Sequence, residues 1–250
     1  MSFYQNWLKK KKQNTKSLAV LVDPDKVTTP YFNKIIDAAN SGFIDYFFVG
    51  GSLITTNNLD KTIKKLKNET RVPVILFPGS TLQVNTNADA ILLLSLVSGR
   101  NPELLIGKHV EAAPILAQSN LEIISTAYML IDSGKSTSAL YMSGTIPYDK
   151  PEIAQCTAMA AEMLGLKCTY LEAGSGAINS VSTEMIKKVA DSTKTPLIVG
   201  GSIRDIETAK VICNAGADII VVGTSIENNP NLVFDVFNAI QTVVNEKITS

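Results

Sequence analysis

Residues 170–177, YLEAGSGA, set one carboxylate, Glu172, directly before two glycines that flank a serine. A carboxylate at the end of an apolar run can hold hydroxyls or take a proton from one. Glycines that follow at once let the backbone approach a ligand and aim N–H groups at it. Two later stretches share that character, GGSIRD at 200–205 outward from its first glycine and GTSIE at 223–227. Together Gly174, Gly176, Gly200, Gly201 and Gly223 suit a phosphate cradled by N–H groups at the openings of helices. Such a cradle needs no lysine, and none stands in these stretches. A single stretch of this kind equally fits a tight turn; three in succession favour phosphate. Arg204 either adds charge there or pairs with Asp205 or Glu207, and is assigned no role.

A second signal lies nearer the N-terminus. Asp23 ends the apolar run LAVLV and is followed by Pro24, which stops strand pairing. Ser52 ends the next such run, in GGS at 50–52. A carboxylate, a hydroxyl and waters make a reasonable shell for Mg²⁺, which keeps several waters and bridges phosphate oxygens. The plain alternative for Asp23 is a turn or helix-capping acid. With the metal reading, the site takes two phosphorylated groups, one on N–H groups and one on Mg²⁺.

Other chemistries find little support. The one histidine, His109, falls within a helical pattern, which argues against a His-based zinc site or a Ser-His-Asp triad. Lys167 opens an apolar run rather than ending one, so no Schiff-base lysine stands out. GSGAIN is not a dinucleotide fingerprint, because no acid about 20 residues on ends a second strand.

The elements that must position these residues are legible as apolar runs. Candidate strands cover 18–22, 46–50, 73–77, 90–95, 122–130, 167–172, 196–200 and 218–223. They are short, rich in β-branched and aromatic residues, and apolar on both faces, as parallel strands covered on each side are. Helical patterns separate most of them. One starts at Pro30 and stops at Gly42; another places Leu59, Ile63 and Leu66 on one face; the last carries Leu232, Val236, Ile240 and Val243 as a stripe. Eight strands alternating with helices in 250 residues predict an α/β (β/α)8 TIM barrel, one domain spanning 1–250. An open doubly wound sheet is the alternative. The third βα unit is the place to expect modification, since PGSTLQVNTNA is short and polar for a crossover helix. Residues 131–148 form a long excursion that reads as a hairpin, lid or interface. In a TIM barrel the chemistry sits at the C-terminal strand ends, where Asp23, Ser52, Glu172 and the glycine stretches all fall.

Composition narrows the class. With 23 basic and 23 acidic side chains the net charge is zero, so no general field draws nucleic acid. The three cysteines, Cys156, Cys168 and Cys213, show no metal spacing and read as apolar fillers in a reducing compartment. The first residues carry no signal-peptide pattern, and no run is long enough to span a bilayer, so a cytoplasmic location is expected. The lysine run at 9–12 reads as the solvated face of a terminal helix.

These residues resemble a known family. LVDPDK, FFVGGS, YLEAGSGA, VGGSIRD and IVVGTSIE, in order and at barrel spacing, are similar to the geranylgeranylglyceryl phosphate synthases and their bacterial heptaprenylglyceryl phosphate relatives. YLEAGSGA is the most specific block; GGSIRD alone fits many phosphate-binding barrels. The resemblance implies a prenyltransferase that joins the C3 hydroxyl of sn-glycerol 1-phosphate to C1 of a polyprenyl diphosphate, releasing diphosphate. Carried over by position, Asp23 and Ser52 bind Mg²⁺, which holds the prenyl diphosphate. Tyr170, Leu171, Glu172, Ala173, Gly174, Ser175, Gly176, Gly200, Gly201, Gly223 and Thr224 bind glycerol 1-phosphate. EAGSGA looks more like the geranylgeranyl branch than the heptaprenyl one. Some members carry lysine two residues before the metal aspartate; here that place is Leu21, which carries no charge.

On this reading Glu172 is the catalytic residue, bonding the glycerol hydroxyls and accepting the C3 proton. The alternative is a carboxylate that only orients its loop. Tyr170 and Leu171 alternate, so one of them should face the helices as core. The prenyl chain needs an apolar groove, for which the stretches after 124 and near GSTLQV are candidates. The family resemblance also implies a homo-oligomer, and the amphiphilic product at most transient contact with a membrane surface. Competing readings are another phosphate-binding TIM-barrel isomerase or synthase and a non-catalytic phosphate-ligand binder.

Overall fold

The computed structural model describes residues 1–51, 55–134 and 144–248. Eight parallel strands form its centre: β1 Ser17–Val22, β2 Tyr46–Val49, β3 Val74–Leu76, β4 Ala90–Leu96, β5 Glu122–Asp132, β7 Cys168–Glu172, β8 Leu197–Gly200 and β9 Ile219–Val222. Neighbours run in the order β4-β3-β2-β1-β9-β8-β7-β5, and pairing of β4 with β5 closes the ring. The closing register runs from Ala90 against Glu122 to Leu96 against Tyr128. A two-residue strand, β6 Ile146–Pro147, pairs with the far end of β5. The expected TIM barrel is therefore the fold.

Strand alternation divides the apolar residues into two sets. Ala19, Tyr46, Phe48, Ile75, Leu92, Ile124, Tyr170, Ile198 and Val221 fill the barrel interior. Leu18, Val20, Phe47, Val74, Leu171, Val199 and Ile220 face the surrounding helices. So Tyr170 points inward and Leu171 outward. By the same period Glu172 follows Tyr170 into the barrel mouth, and Asp23 follows Ala19 and Leu21.

The helix Phe3–Lys12 closes the opposite, N-terminal end of the barrel. Its Trp7 is 1% exposed and meets Tyr46 edge-on, with ring centroids 5.7 Å apart. Glu122, at the start of β5, accepts the Phe3 and Tyr4 N–H groups at 2.6 and 2.9 Å, an anion on a helix N-terminus. Lys10 pairs with Asp45 at 2.7 Å and Lys11 with Asp218 at 2.9 Å. The lysine run is thus not simply a solvated face: two of its members tie the helix to acids at the strand starts. Cys168 and Cys213 are buried as expected, while Cys156 is exposed and fills no core.

The third unit departs from the repeat, as the short polar linker suggests. Between β3 and β4 the chain makes one 3-10 turn, Thr81–Gln83, and no α-helix. The outer face of β3 and β4 is left without a crossover helix of its own. After β4 a π-helical turn, Glu103–Gly107, runs into the helix Lys108–Ala117. The excursion at 131–148 falls largely on residues 135–143, which lie outside the described residues. Among the described residues, no helix is long and apolar enough to cross a membrane.

Candidate functional site

The three glycine stretches meet at the C-terminal mouth around a cavity of about 410 Å³, within the range of small-ligand sites. Ser175, Gly176, Gly201, Ser202, Thr224 and Ser225 all line it. The backbone N–H groups of these six residues find no acceptor among the described residues. Gly201, Ser202 and Ser225 are half-buried and Ser175, Gly176 and Thr224 exposed, and N–H groups left open toward one cavity are donors for an anion. Side chains stitch the stretches together. Ser202 Oγ donates to the Ala177 carbonyl at 2.6 Å, and the Arg204 guanidinium donates to the same oxygen. Ser225 Oγ donates to the Ile203 carbonyl at 2.6 Å, and the Ser175 and Thr224 hydroxyls lie 3.2 Å apart. Arg204 therefore holds a loop rather than pairing with Asp205 or Glu207, and it also lines the cavity.

Two details of the sequence reading need correction. No residue of the helix after β8, Ile206–Ala215, lines the cavity, and Asp205 caps that helix, accepting the Thr208 N–H at 2.7 Å. The helix after β7, Thr183–Ser192, is capped by Ser182. The open donors come from the turns themselves and from the short helix Thr224–Asn228, not from two long helix dipoles. The second detail is that Gly200 and Gly201 do more than admit a ligand. A Cβ on Gly200 would collide with Tyr170 Oη and lie 3.1 Å from Glu172 Oε2. One on Gly201, at φ +84°, would collide with Glu172 Oε1 and lie 2.6 Å from the Gly174 nitrogen. Gly200 thus makes room chiefly for the Tyr170 hydroxyl, and Gly201 for Glu172. Gly176 has nothing within 4 Å of its Cβ position and opens to the cavity.

Glu172 is 8% exposed. Oε1 accepts the Gly174 N–H at 2.7 Å. Burial pushes its carboxyl up to about 7, against the opposing pull of the Gly174 N–H and the Tyr170 hydroxyl. Tyr170 Oη lies beside the carboxylate without completing a hydrogen bond of ordinary geometry. A carboxylate held at this value is half ionised near neutrality and suits proton transfer. It orients its own loop and also faces the cavity.

Across the mouth, Asp23 Oδ1 accepts the Asp25 N–H at 3.1 Å and Oδ2 meets Lys26 Nζ at 3.2 Å. Gly51 passes so close that its Cβ position lies 3.5 Å from the Asp23 carboxylate. Ser52, the other expected metal ligand, lies outside the described residues. Among the described residues, no group of three or more His, Cys, Asp or Glu side chains is arranged to hold a metal. A single carboxylate still fits Mg²⁺, which prefers one or two carboxylates with waters and phosphate oxygens. The ammonium of Lys26 on Oδ2 marks that position as one that accepts a cation. Leu21 fills its inward place by packing on Gly223, 3.3 Å from its Cβ position, and offers no charge.

Sequence reasoning missed the aromatic junction between these two sides. Phe77 stacks on Tyr170 with centroids 5.2 Å apart, and Tyr128 meets both rings edge-on at 5.8 and 5.3 Å. Phe77 and Tyr128 line the cavity that joins Asp23 to Glu172. The same two residues open an apolar groove with Val84, Ile91, Leu94, Leu96, Leu104 and Ala112. The groove lies where the third crossover helix is missing. GSTLQV does contribute, through Thr81 and Val84, and the stretch after 124 contributes Tyr128. The signal for Tyr128 was its even spacing from Ile124, which puts both inside. His109 also borders the groove, but its Nε2 is committed to the Leu94 carbonyl at 2.8 Å.

Comparison with known proteins gives a consistent picture. Residues 6–244 match the PcrB family. A geranylgeranylglyceryl phosphate synthase of Chitinophaga pinensis is 49% identical over 239 residues, covering 95% of each chain. One from the archaeon Korarchaeum cryptofilum is 43% identical, over 84% of this chain and 87% of its own. The crystal structure of (S)-3-O-geranylgeranylglyceryl phosphate synthase from Thermoplasma acidophilum, in complex with its substrate sn-glycerol-1-phosphate, superposes with a TM-score of 0.88. That protein is 33% identical, with 97% of this chain and 99% of that one covered.

Proposed function

The chain belongs to the PcrB family, and from that premise we propose that it is a prenyltransferase acting on sn-glycerol 1-phosphate and a polyprenyl diphosphate, with geranylgeranyl diphosphate as the favoured donor. The observation that carries this reading is a continuity. The apolar groove opens at Phe77 and Tyr128 into the cavity that holds Asp23, and that cavity shares the buried carboxylate of Glu172, with Ser175 and Thr224, with the cradle of open N–H groups. A small-phosphosugar isomerase has no use for such a groove.

In this reading the phosphate of the acceptor lies on the N–H groups of Ser175, Gly176, Gly201, Ser202, Thr224 and Ser225. Its glycerol hydroxyls reach down to Glu172. The prenyl tail lies in the groove, which brings C1 of the donor to the aromatic junction. The C1–O bond of the donor breaks and its electron pair leaves with diphosphate. The C3 oxygen of glycerol forms the new bond to C1, and its proton passes to Glu172. Positive charge that develops on the allylic C1 faces the rings of Phe77, Tyr128 and Tyr170 and the nearby carboxylate. The groove and stacked rings keep water from competing for C1.

Mg²⁺ is part of the proposal. Asp23, with Ser52 as second ligand, would hold it, and when bound it neutralises charge on the leaving diphosphate. A homo-oligomer, a cytoplasmic location and brief contact with membranes that take up the product complete the reading. The test is direct. With Mg²⁺, labelled sn-glycerol 1-phosphate and donors from C15 to C35, an organic-extractable labelled ether should form, most rapidly with C20. No such product from any donor would remove the proposal.

A further inference from the structure

A departing diphosphate carries more negative charge than one divalent cation neutralises, and Leu21 supplies none. The cavity that joins Asp23 to Glu172 is also lined by Lys26 and Glu227. Among the described residues lining it, Lys26 is the only cation. Its Nζ stands 3.2 Å from Asp23 Oδ2 and 3.9 Å from Glu227 Oε2. The two carboxylates are 17% and 16% exposed, whereas the lysine side chain is 52% exposed. The acids are half-buried, and the ammonium stands between them on a largely exposed side chain.

The acids come from neighbouring strands, β1 before Asp23 and β9 before the helix that bears Glu227. Tyr31, from the helix Thr29–Asn40, is 5% exposed. Its hydroxyl has no partner among the described residues. Burial raises its pKa, and the charges of Glu227 and Asp23 raise it further. A half-buried carboxylate such as Glu227 costs free energy unless a cation faces it, and Lys26 is that cation. An exposed lysine in an ion pair of this kind adds little to folding. Its place in the cavity is better explained by a ligand.

We propose that Lys26 is a diphosphate-binding residue whose ammonium leaves Asp23 to the metal and contacts the donor's diphosphate, with Glu227 holding it within reach. This rests on the prenyltransferase reading and adds to it a second cation for the leaving group. Lys26 takes no part in the proton transfer. The C1–O electron pair goes to diphosphate, the C3 oxygen bonds C1, and the hydroxyl proton goes to Glu172. Glu227 is a positioning residue.

The test uses the full chain, with MgCl₂ and inorganic diphosphate as the calorimetric probe. K26Q should weaken Mg-dependent diphosphate binding about ten- to a hundredfold, the range for a lost hydrogen bond to a charged group. K26R should restore most of it. E227Q should weaken binding less, and K26Q/E227Q no more than K26Q alone, because the two act as one unit. Binding of glycerol 1-phosphate to K26Q should be unchanged, which also shows the variant to be folded. Diphosphate affinity in K26Q equal to or above that of the wild type would overturn the proposal, since Lys26 would then merely compete with the metal. So would a wild-type chain that binds no Mg–diphosphate. A wild type that binds Mg–diphosphate through Lys26 yet prenylates nothing would instead overturn the activity and leave this contact standing.

Discussion

Gly201 packs so tightly on Glu172 that a methyl group there would collide with Oε1 and crowd the Gly174 nitrogen to 2.6 Å. Glu172 in turn accepts the Gly174 N–H at 2.7 Å. The two loops thus fit together around one carboxylate.

Gly201→Ala should therefore disturb both stability and the acceptor site. The left-handed backbone alone costs a non-glycine residue on the order of 1–3 kcal/mol, and the collision adds to that. Gly176→Ala, at φ +74° but with open space around its Cβ, should cost only about 1 kcal/mol. Urea melts of the two variants check this; equal midpoints would contradict the packing account.

Glu172 makes activity and stability move in opposite directions with pH. Its carboxyl is raised from 4.5 to about 7 in the folded chain by burial. Between those values the folded state holds a proton that the unfolded state has released. Stability is therefore greatest at and below the lower value and falls as pH rises through the upper one, by at most ~3 kcal/mol for this group. The base form grows over the same window, so kcat/KM for the acceptor should rise to a plateau with an apparent pKa about 7. Glu172→Gln should lose that limb and lower kcat by about 10²- to 10⁴-fold. It should also flatten the stability loss, which melts from pH 5 to pH 8 read.

The groove should set donor length. Ala112, 4% exposed, lines it together with Leu96 and Leu104. Ala112→Phe should reduce kcat/KM for a C20 donor by about tenfold or more, and much less for C10 or C15, because overfilling a packed apolar slot excludes the longer chain. Competition between two donors in one vessel gives the ratio. An unchanged ratio would place the tail elsewhere.

The far end of the barrel should affect folding alone. Trp7→Ala removes a ring that is 1% exposed and stacked edge-on against Tyr46. The expected loss is about 3–5 kcal/mol by denaturant titration. Turnover per folded molecule should be unaltered, since the site lies at the opposite strand ends.

The barrel was legible because each strand is an apolar run bounded by turn residues, and because one linker was too short and polar for a helix. Glu172 and the glycine turns stood out as polar groups at strand ends. The remainder needed three dimensions. Whether Tyr170 or Leu171 faced inward depended on register. Phe77 was not singled out, and Tyr128 lay in a stretch that fitted groove or core alike, since an aromatic at a strand end looks the same whether it lines a mouth or a core. Lys26 and Glu227 sit almost a chain length apart and become neighbours only when β9 pairs with β1. At Gly200 and Gly201 the sequence shows where a small residue stands but not that the Tyr170 hydroxyl excludes a side chain at the first and Glu172 at the second.

The central claim is that the C3 oxygen of glycerol 1-phosphate, held beside Glu172, becomes the ether oxygen. Acceptor labelled with ¹⁸O at the C3 hydroxyl, incubated with Mg²⁺ and geranylgeranyl diphosphate, tests it in one mass-spectrometric measurement. The account predicts label in the extracted ether and none in the released diphosphate. Unlabelled ether, or diphosphate released without any prenylated glycerol phosphate, would contradict it.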